Sequence, residues 1–253
     1  MGMVKLKIAK QKFINNADLI LPLLKGKDDR FVRLDIENWL NEEYELKDEI
    51  HSNQKIDTMG FSAADLNNKL REKMIEIPGI HKETTVDHGA FLKFGKEGFD
   101  FSIFDEEYNI LKLRNSFVGN PGYYNGEEKL YKLNPKVITT DNCGLKKKEW
   151  KEKIQMLGGT FGENLIGVKK HMSIVGEIQF GNWAIASHDF FRLMNATLDT
   201  DIDFYIYITA TGTLAKKLSK GIVDYSWVLD FLSKNKQLIK IPTWIIGLDL
   251  DIE

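Results

Sequence analysis

A single cysteine, Cys143, is all the thiol chemistry this 253-residue chain carries, which excludes an internal disulfide and a cysteine-based metal site. Net charge is almost as scarce. The sum of -2, from 35 basic and 37 acidic residues, argues against a basic surface that coats nucleic acid wholesale. No apolar run approaches the roughly 18 residues needed to span a bilayer, and the opening MGMVKLKIAKQKF lacks the apolar centre and small-residue cleavage site of a signal peptide. A cytoplasmic protein without membrane contact is the expectation. There is also no Gly-rich phosphate loop, no G-x-S-x-G and no H-E-x-x-H, so the chemistries tied to those motifs drop out.

What is there begins with a hydrophobic fraction of 43%, enough for one large domain or a domain with a substantial addition. The most informative stretch runs from Glu163 to Leu198. Ser173 to Phe180 alternates between two faces, Ile174, Gly176, Ile178 and Phe180 on one, Val175, Glu177 and Gln179 on the other, as a half-buried strand does. An acid and an amide two residues apart on one face either look at water or need partners that repay their burial. Asn182 then caps a helix in which Trp183, Ile185, Ala186, Phe190, Leu193, Met194 and Leu198 recur at helical spacing. A strand that runs directly into an amphipathic helix is where active sites of α/β proteins tend to lie, which favours the second reading.

Residues 1 to 57 read as mostly helical, with Leu34, Ile36, Trp39, Leu40 and Tyr44 as an apolar stripe among acids, and are expected to form an addition to a core over 58 to 253. Ser62 and Asp65 make a capping box for a helix whose stripe is Ala63, Leu66, Leu70, Met74 and Ile77, ended by Pro78 and Gly79. From about 84 to 155 the pattern predicts a β-rich insertion: Phe91, Phe94, Phe99, Phe101 and Phe104 in short segments, with turns at KEG and DEEYN and at GNPGYYNG. Val137 and Ile138 read as a short strand, and Lys146 to Leu157 as a helix closed by Gly158 and Gly159. Strands at Phe204 to Thr209 and Ile241 to Leu248, with helices at Thr213 to Leu218 and Tyr225 to Lys234, complete a mixed α/β sheet with helices on its faces.

Lysines cluster at Lys146, Lys147, Lys148, Lys151 and Lys153, at Lys169 and Lys170, and at Lys216, Lys217 and Lys220. Each cluster alone is more often a solvated face than a site, although a local groove can bind phosphate on an acidic molecule. His188 and Asp189 are adjacent on the predicted helix and point apart, so a dyad is not expected. Asp201 and Asp203 read as a polar turn, and Asp249 and Asp251 as a polar tail.

EIQFGNW followed by a helix, a strand, LSKGIVDYSWVLDFL and IPTWIIGL resembles the catalytic region of type II restriction endonucleases of the BglII and BstYI group. These belong to the PD-(D/E)XK nuclease superfamily with an E-x-Q variant motif. FSAADLNNKLREKM resembles the helix that opens their core. The resemblance covers roughly 61 to 80 and 163 to 248, and leaves 1 to 57 and 84 to 155 unmatched. It implies a Mg²⁺-dependent endonuclease that cuts duplex DNA at a short palindrome as a homodimer, leaving 5′ overhangs, with the helix after the motif at the dimer contact. Glu177 and the Ile178 carbonyl would hold the metal, and Gln179, in place of the superfamily lysine, would orient the attacking water. Asn182, Ser219 and Lys220, with Lys169 and Lys170, would face DNA. Relatives place an aspartate nine residues before the glutamate, and that position here is Val168. The missing acid is assigned to Glu163, beside Asn164, as a catalytic and metal-binding residue. Val168 and Asn164 also keep open a second reading, a catalytically impaired DNA-binding protein of the same fold.

Overall fold

The computed structural model describes residues 2–27, 33–53, 56–87, 89–93, 98–119, 156–160, 162–218, 221–235, 237 and 239–251. The strands are β1 (Gly2–Ile14), β2 (Glu43–Leu46), β3 (Asp48–Asn53), β4 (Ile56–Phe61), β5 (His81–Asp87), β6 (Ala90–Lys93), β7 (Phe99–Ile103), β8 (Ile174–Ile178), β9 (Phe204–Ala210) and β10 (Thr243–Leu250). Eight of them form one mixed sheet in the order β2-β1-β10-β9-β8-β7-β5-β6, and β3 and β4 pair separately. The middle of the sheet is parallel, β8 with β9 and β9 with β10. Antiparallel strands close it on both sides.

Helices cover both faces. On one side lie α1 (Ala17–Lys27), α2 (Arg33–Leu40), α3 (Ala63–Met74) and the short α6 (Gly212–Lys217). They share a core with Phe204, Ile206 and Ile208 of β9 and Trp244, Ile246 and Leu248 of β10. On the other lie α4 (Glu106–Val118), α5 (Trp183–Asp199) and α7 (Tyr225–Lys234), packed on Tyr205, Tyr207 and Ile245. Odd and even positions of β9 thus feed different cores, which is the period of two expected of a strand buried on both faces.

Three expectations change. Residues 1 to 57 are not mostly helical: β1 is a thirteen-residue strand that pairs with β10 inside the main sheet. The apolar stripe from Ile36 to Tyr44 belongs to two elements, since Ile36, Trp39 and Leu40 are buried from α2 whereas Tyr44 is buried from β2. DEEYN is no turn but the start of α4, where Asp105 accepts from the Tyr108 amide at 3.0 Å and caps the helix. Finally, β8 is buried along its whole length, so it is central rather than half-buried. Gly176 makes that possible: a Cβ there would lie 2.1 Å from the Phe101 ring on β7.

The capping box at Ser62 holds, with the Ser62 hydroxyl accepting from the Asp65 amide and Leu66, Leu70 and Met74 buried. The predicted short strand at Val137 and Ile138, the GNPGYYNG turn and most of the helix from Lys146 to Leu157 lie outside the described residues. The end of that helix does not: Met156 and Leu157 are helical, followed by Gly158 and Gly159 at φ of 64° and 88°, the left-handed conformation that glycine adopts without cost.

Candidate active site

The register between β7 and β8 pairs Phe101 with Gly176 and Ser102 with Val175. Carried one residue further, it sets Asp100 opposite Glu177. Cross-strand neighbours have Cβ atoms roughly 5 Å apart, so two carboxylates share the face of the sheet that α5 covers. Asp100 Oδ2 accepts from the Ile178 amide at 2.7 Å, which fixes one oxygen against the backbone of the neighbouring strand. Glu177 is 3% exposed and Gln179 8%, which removes the reading of E-x-Q as a face turned to water.

Helix α5 closes this group from above. It begins where Asn182 Oδ1 accepts from the amides of Ala184 and Ile185 at 2.8 and 3.3 Å, immediately after the strand. Asp189, on its buried side, accepts from Gln179 Nε2 at 3.0 Å. Arg192, one turn on, donates to Glu177 Oε1 and lies 3.5 Å from Asp189. From the opposite side α3 contributes Arg71, which donates to Asp100 Oδ1. Asn67, one turn before Arg71, has a buried Oδ1 with no hydrogen-bond partner. These groups line a cleft of about 430 Å³ whose walls are α3, the end of β8 and the first half of α5.

Three acids in one cleft disturb one another. Burial pushes Asp100 up to about 6, against the pull of Arg71 and the Ile178 amide, with Asp189 adding to the rise. Burial pushes Asp189 to about 6 as well, opposed by Gln179 and Arg192. Glu177 is raised well above the ordinary range by burial first and by Asp100 and Asp189 next. Burial alone would weaken the charge on Arg192, but Glu177 and Asp189 outweigh it and hold the guanidinium protonated. Perturbation of this kind, in a cleft, makes these acids candidates for a functional site.

The linkage has a measurable sign. An acid that ionises near 6 in the folded state and near 3.8 when unfolded takes up a proton on folding between those values, so stability rises as pH falls. The metal-free protein is therefore expected to melt at a higher temperature at pH 5.5 than at pH 7.5, by an amount on the order of 2 kcal/mol. A thermal melt in chelator that moves the other way would contradict this account of the cleft.

The fate of the predicted residues is mixed. Glu177, Ile178 and Gln179 come together. Glu163 does not line the cleft: it is exposed, in a segment held on α4, where buried Arg114 donates to the Glu163 carbonyl and Asn115 brackets Leu165. Val168, where the resemblance would place an aspartate, is 82% exposed. The acid beside Glu177 is Asp100, from β7, a strand that precedes β8 by some 70 residues of chain. Lys169 is paired with Asp203, and Lys170 with Glu107 at 2.8 Å. Both precede the start of β8, roughly 15 Å or more from its cleft end. Asn182 is the exposed cap of α5, one residue after Gly181 of the cleft lining. Ser219 and Lys220 lie outside the described residues.

The sequence reading passed over Asp100, Arg71 and Arg192, and set Asp189 aside. A signal existed for the two acids. Asp100 is a lone acid in the apolar run FDFSIF, and Asp189 falls between Ala186, Phe190 and Leu193 on the buried stripe of α5; a charge on a buried stripe needs partners as much as Glu177 does.

The donor set suits a hard divalent cation: carboxylate oxygens of Asp100 and Glu177 with the Ile178 carbonyl beside them. Among the described residues no three acidic, histidine or cysteine side chains converge on one point, so a cation held here would take its remaining ligands from water and substrate oxygens.

The sequence model of the family described as restriction endonuclease BglII/BglIII matches residues 133–248, a little under half of the chain. It takes in β8, α5, β9, α6, α7 and most of β10, but begins after β7 and so after Asp100. No curated protein sequence matches. Among solved structures, restriction endonuclease BglII complexed with a DNA 16-mer superposes with a TM-score of 0.47 at 13% identity, over 100% of this chain and 80% of that one. That likeness is too distant to transfer any residue's role. Residues 133–248, which carry Glu177, Gln179 and the helix with Asp189 and Arg192, are thus similar in sequence to the restriction endonuclease BglII/BglIII family.

Proposed function

We propose that the protein is a type II restriction endonuclease that hydrolyses duplex DNA at a short palindrome with Mg²⁺, as a homodimer, and leaves 5′ overhangs. The observation that carries the reading is the cross-strand pair of Asp100 and Glu177, with Gln179 in the same cleft. Asp100, Glu177 and the Ile178 carbonyl would hold the cation, which supplies charge to offset the phosphorane and to favour hydroxide over water. Gln179 is oriented at both ends: its Oε1 accepts from the Gly181 amide at 2.6 Å, and one Nε2 hydrogen goes to Asp189. A side-chain amide has two N–H groups, so the second remains to orient the attacking water as a donor. Attack forms one P–O bond in line with the bond from phosphorus to the 3′ oxygen that breaks; the proton the water gives up passes to solvent, and the departing 3′ oxygen takes one from solvent.

Duplex symmetry matches a two-fold protein. Helix α5 offers the contact, for its outer side leaves Trp183 61%, Phe191 47% and Leu198 83% exposed, a stripe at helical spacing that water does not favour. Trp183 and Leu198, expected on the buried stripe, are therefore exposed in the single chain. The impaired-site alternative rested on Val168 and Asn164, and Asp100 supplies the acid it found missing.

Incubating the protein with mixed-sequence duplex in Mg²⁺ and sequencing the ends tests the proposal. Discrete cuts at one palindrome, with 5′ extensions and none in chelator, are expected. Ends at random positions, or no cleavage with either Mg²⁺ or Mn²⁺, would overturn it.

A further inference from the structure

The two arginines of the cleft are not needed to bind a cation; they compete with it. Three carboxylates, Asp100, Glu177 and Asp189, face two guanidiniums, Arg71 and Arg192, and each arginine sits on an acid that the proposed metal would need. Arg71 has a second acid in Glu83, 4.0 Å away but outside the cleft lining, whereas the second acid of Arg192 lies inside the cleft. Arg192 projects from α5 one turn after Asp189, at a spacing that brings side chains together, and its guanidinium already lies 3.5 Å from that acid while its main contact is Glu177. Its Nε is buried with no acceptor, as are those of Arg71 and Arg114, so the arrangement leaves it a donor to use elsewhere. The side chain passes over the Phe99 ring, 6.0 Å from its centroid, a surface along which a guanidinium slides without losing its stacking.

We propose that Arg192 is a displaceable counter-ion. In the metal-free protein it neutralises Glu177 and keeps a buried acid cluster from flying apart. When a divalent cation takes Glu177, Arg192 transfers to Asp189, and the Asp189 contact to Gln179 survives the exchange because Gln179 uses Oδ2 while Arg192 approaches Oδ1. Arg192 is thus a positioning residue: it sets the affinity and the order of metal entry without touching the reacting atoms. The inference rests on the metal-binding reading above.

The test needs no DNA. Free Mn²⁺, counted by electron paramagnetic resonance, gives the affinity of wild-type protein and of Arg192→Gln. Removing a resident positive charge from beside Glu177 is expected to tighten Mn²⁺ binding by about tenfold or more; unchanged or weaker binding overturns the inference. A second measurement uses the wild-type protein, in case the variant does not fold. In a Mg²⁺ titration followed by nuclear magnetic resonance, the Arg192 Nε–H signal, assigned by through-bond correlation to its own side chain and backbone, should move with the same midpoint as the Ile178 amide. An Ile178 signal that shifts while Arg192 stays still overturns the exchange. Absence of any saturable site in the wild type is a different result, which removes the metal-binding reading itself.

Discussion

Asp100→Asn is expected to lower the rate of DNA cleavage by about 10³-fold or more, while Glu163→Gln leaves it within about twofold. The first substitution keeps shape and one hydrogen-bond acceptor for the Ile178 amide but removes the charge that a cation at Glu177 would share. Loss of one well-placed electrostatic group in an active site costs about 10²- to 10³-fold, and here the group is also a proposed ligand. The second substitution alters an exposed side chain on a segment clamped to α4 by its backbone, where changes typically stay within about 0.5 kcal/mol. Single-turnover rates on a cleavable duplex, with matched melting temperatures as a control, decide the matter. Equal losses in both variants, or a loss in Glu163→Gln alone, would return the catalytic acid to the segment before β8.

The largest effect on stability is expected at Asp105, with Asp105→Ala costing about 3–5 kcal/mol. Its two oxygens serve three amides: Tyr108 at 3.0 Å as the cap of α4, and Lys170 and His171 at 2.7 and 3.3 Å at the approach to β8. A cap contributes about 1–2 kcal/mol and hydrogen bonds to a charged group about 1.5–3 each, less what is lost because the three share one residue. Burial alone would raise this carboxyl, but the three amides and nearby His171 hold it below the ordinary range. Its contribution is therefore complete above the unfolded value near 3.8 and is lost as pH falls through the folded one. Denaturant titrations at pH 6 and pH 3 check both statements: the gap between wild type and Asp105→Ala should narrow in acid. Together with the protons taken up by Asp100 and Asp189, this places the stability maximum of the metal-free protein in the mildly acidic range.

Where residues signal through their immediate neighbours, the sequence was legible. Ser62 and Asp65 announced α3, Asn182 and the spacing behind it announced α5, and the alternation around Glu177 marked β8, although not that both of its faces are buried. The run KLKIAKQKFI also alternates, yet the acidic stripe further on drew the whole segment into a helical reading, and β1 was lost. The partner of Glu177 was out of reach for another reason. Nothing local to Asp100 states that β7 pairs with β8, since strand pairing is a long-range choice, and counting back along the chain led to Val168 on an exposed loop. Asp189 was set aside because its neighbour His188 faces away, when the telling fact was its own place on the buried stripe.

The two acids stand on neighbouring strands rather than on one continuous hairpin of fixed length, and this separates the chemistry from the length of chain between them. The ladder sets their spacing, so an insertion or deletion after α4 leaves the carboxylates where they are and adds only a slowly growing closure entropy. Segments can be exchanged there, and with them whatever those segments touch, while the pair of acids keeps its spacing. The same arrangement suits the bench: two fragments divided between α4 and β8 would each carry one acid, and nuclease activity recovered on mixing them would report the pairing of β7 with β8.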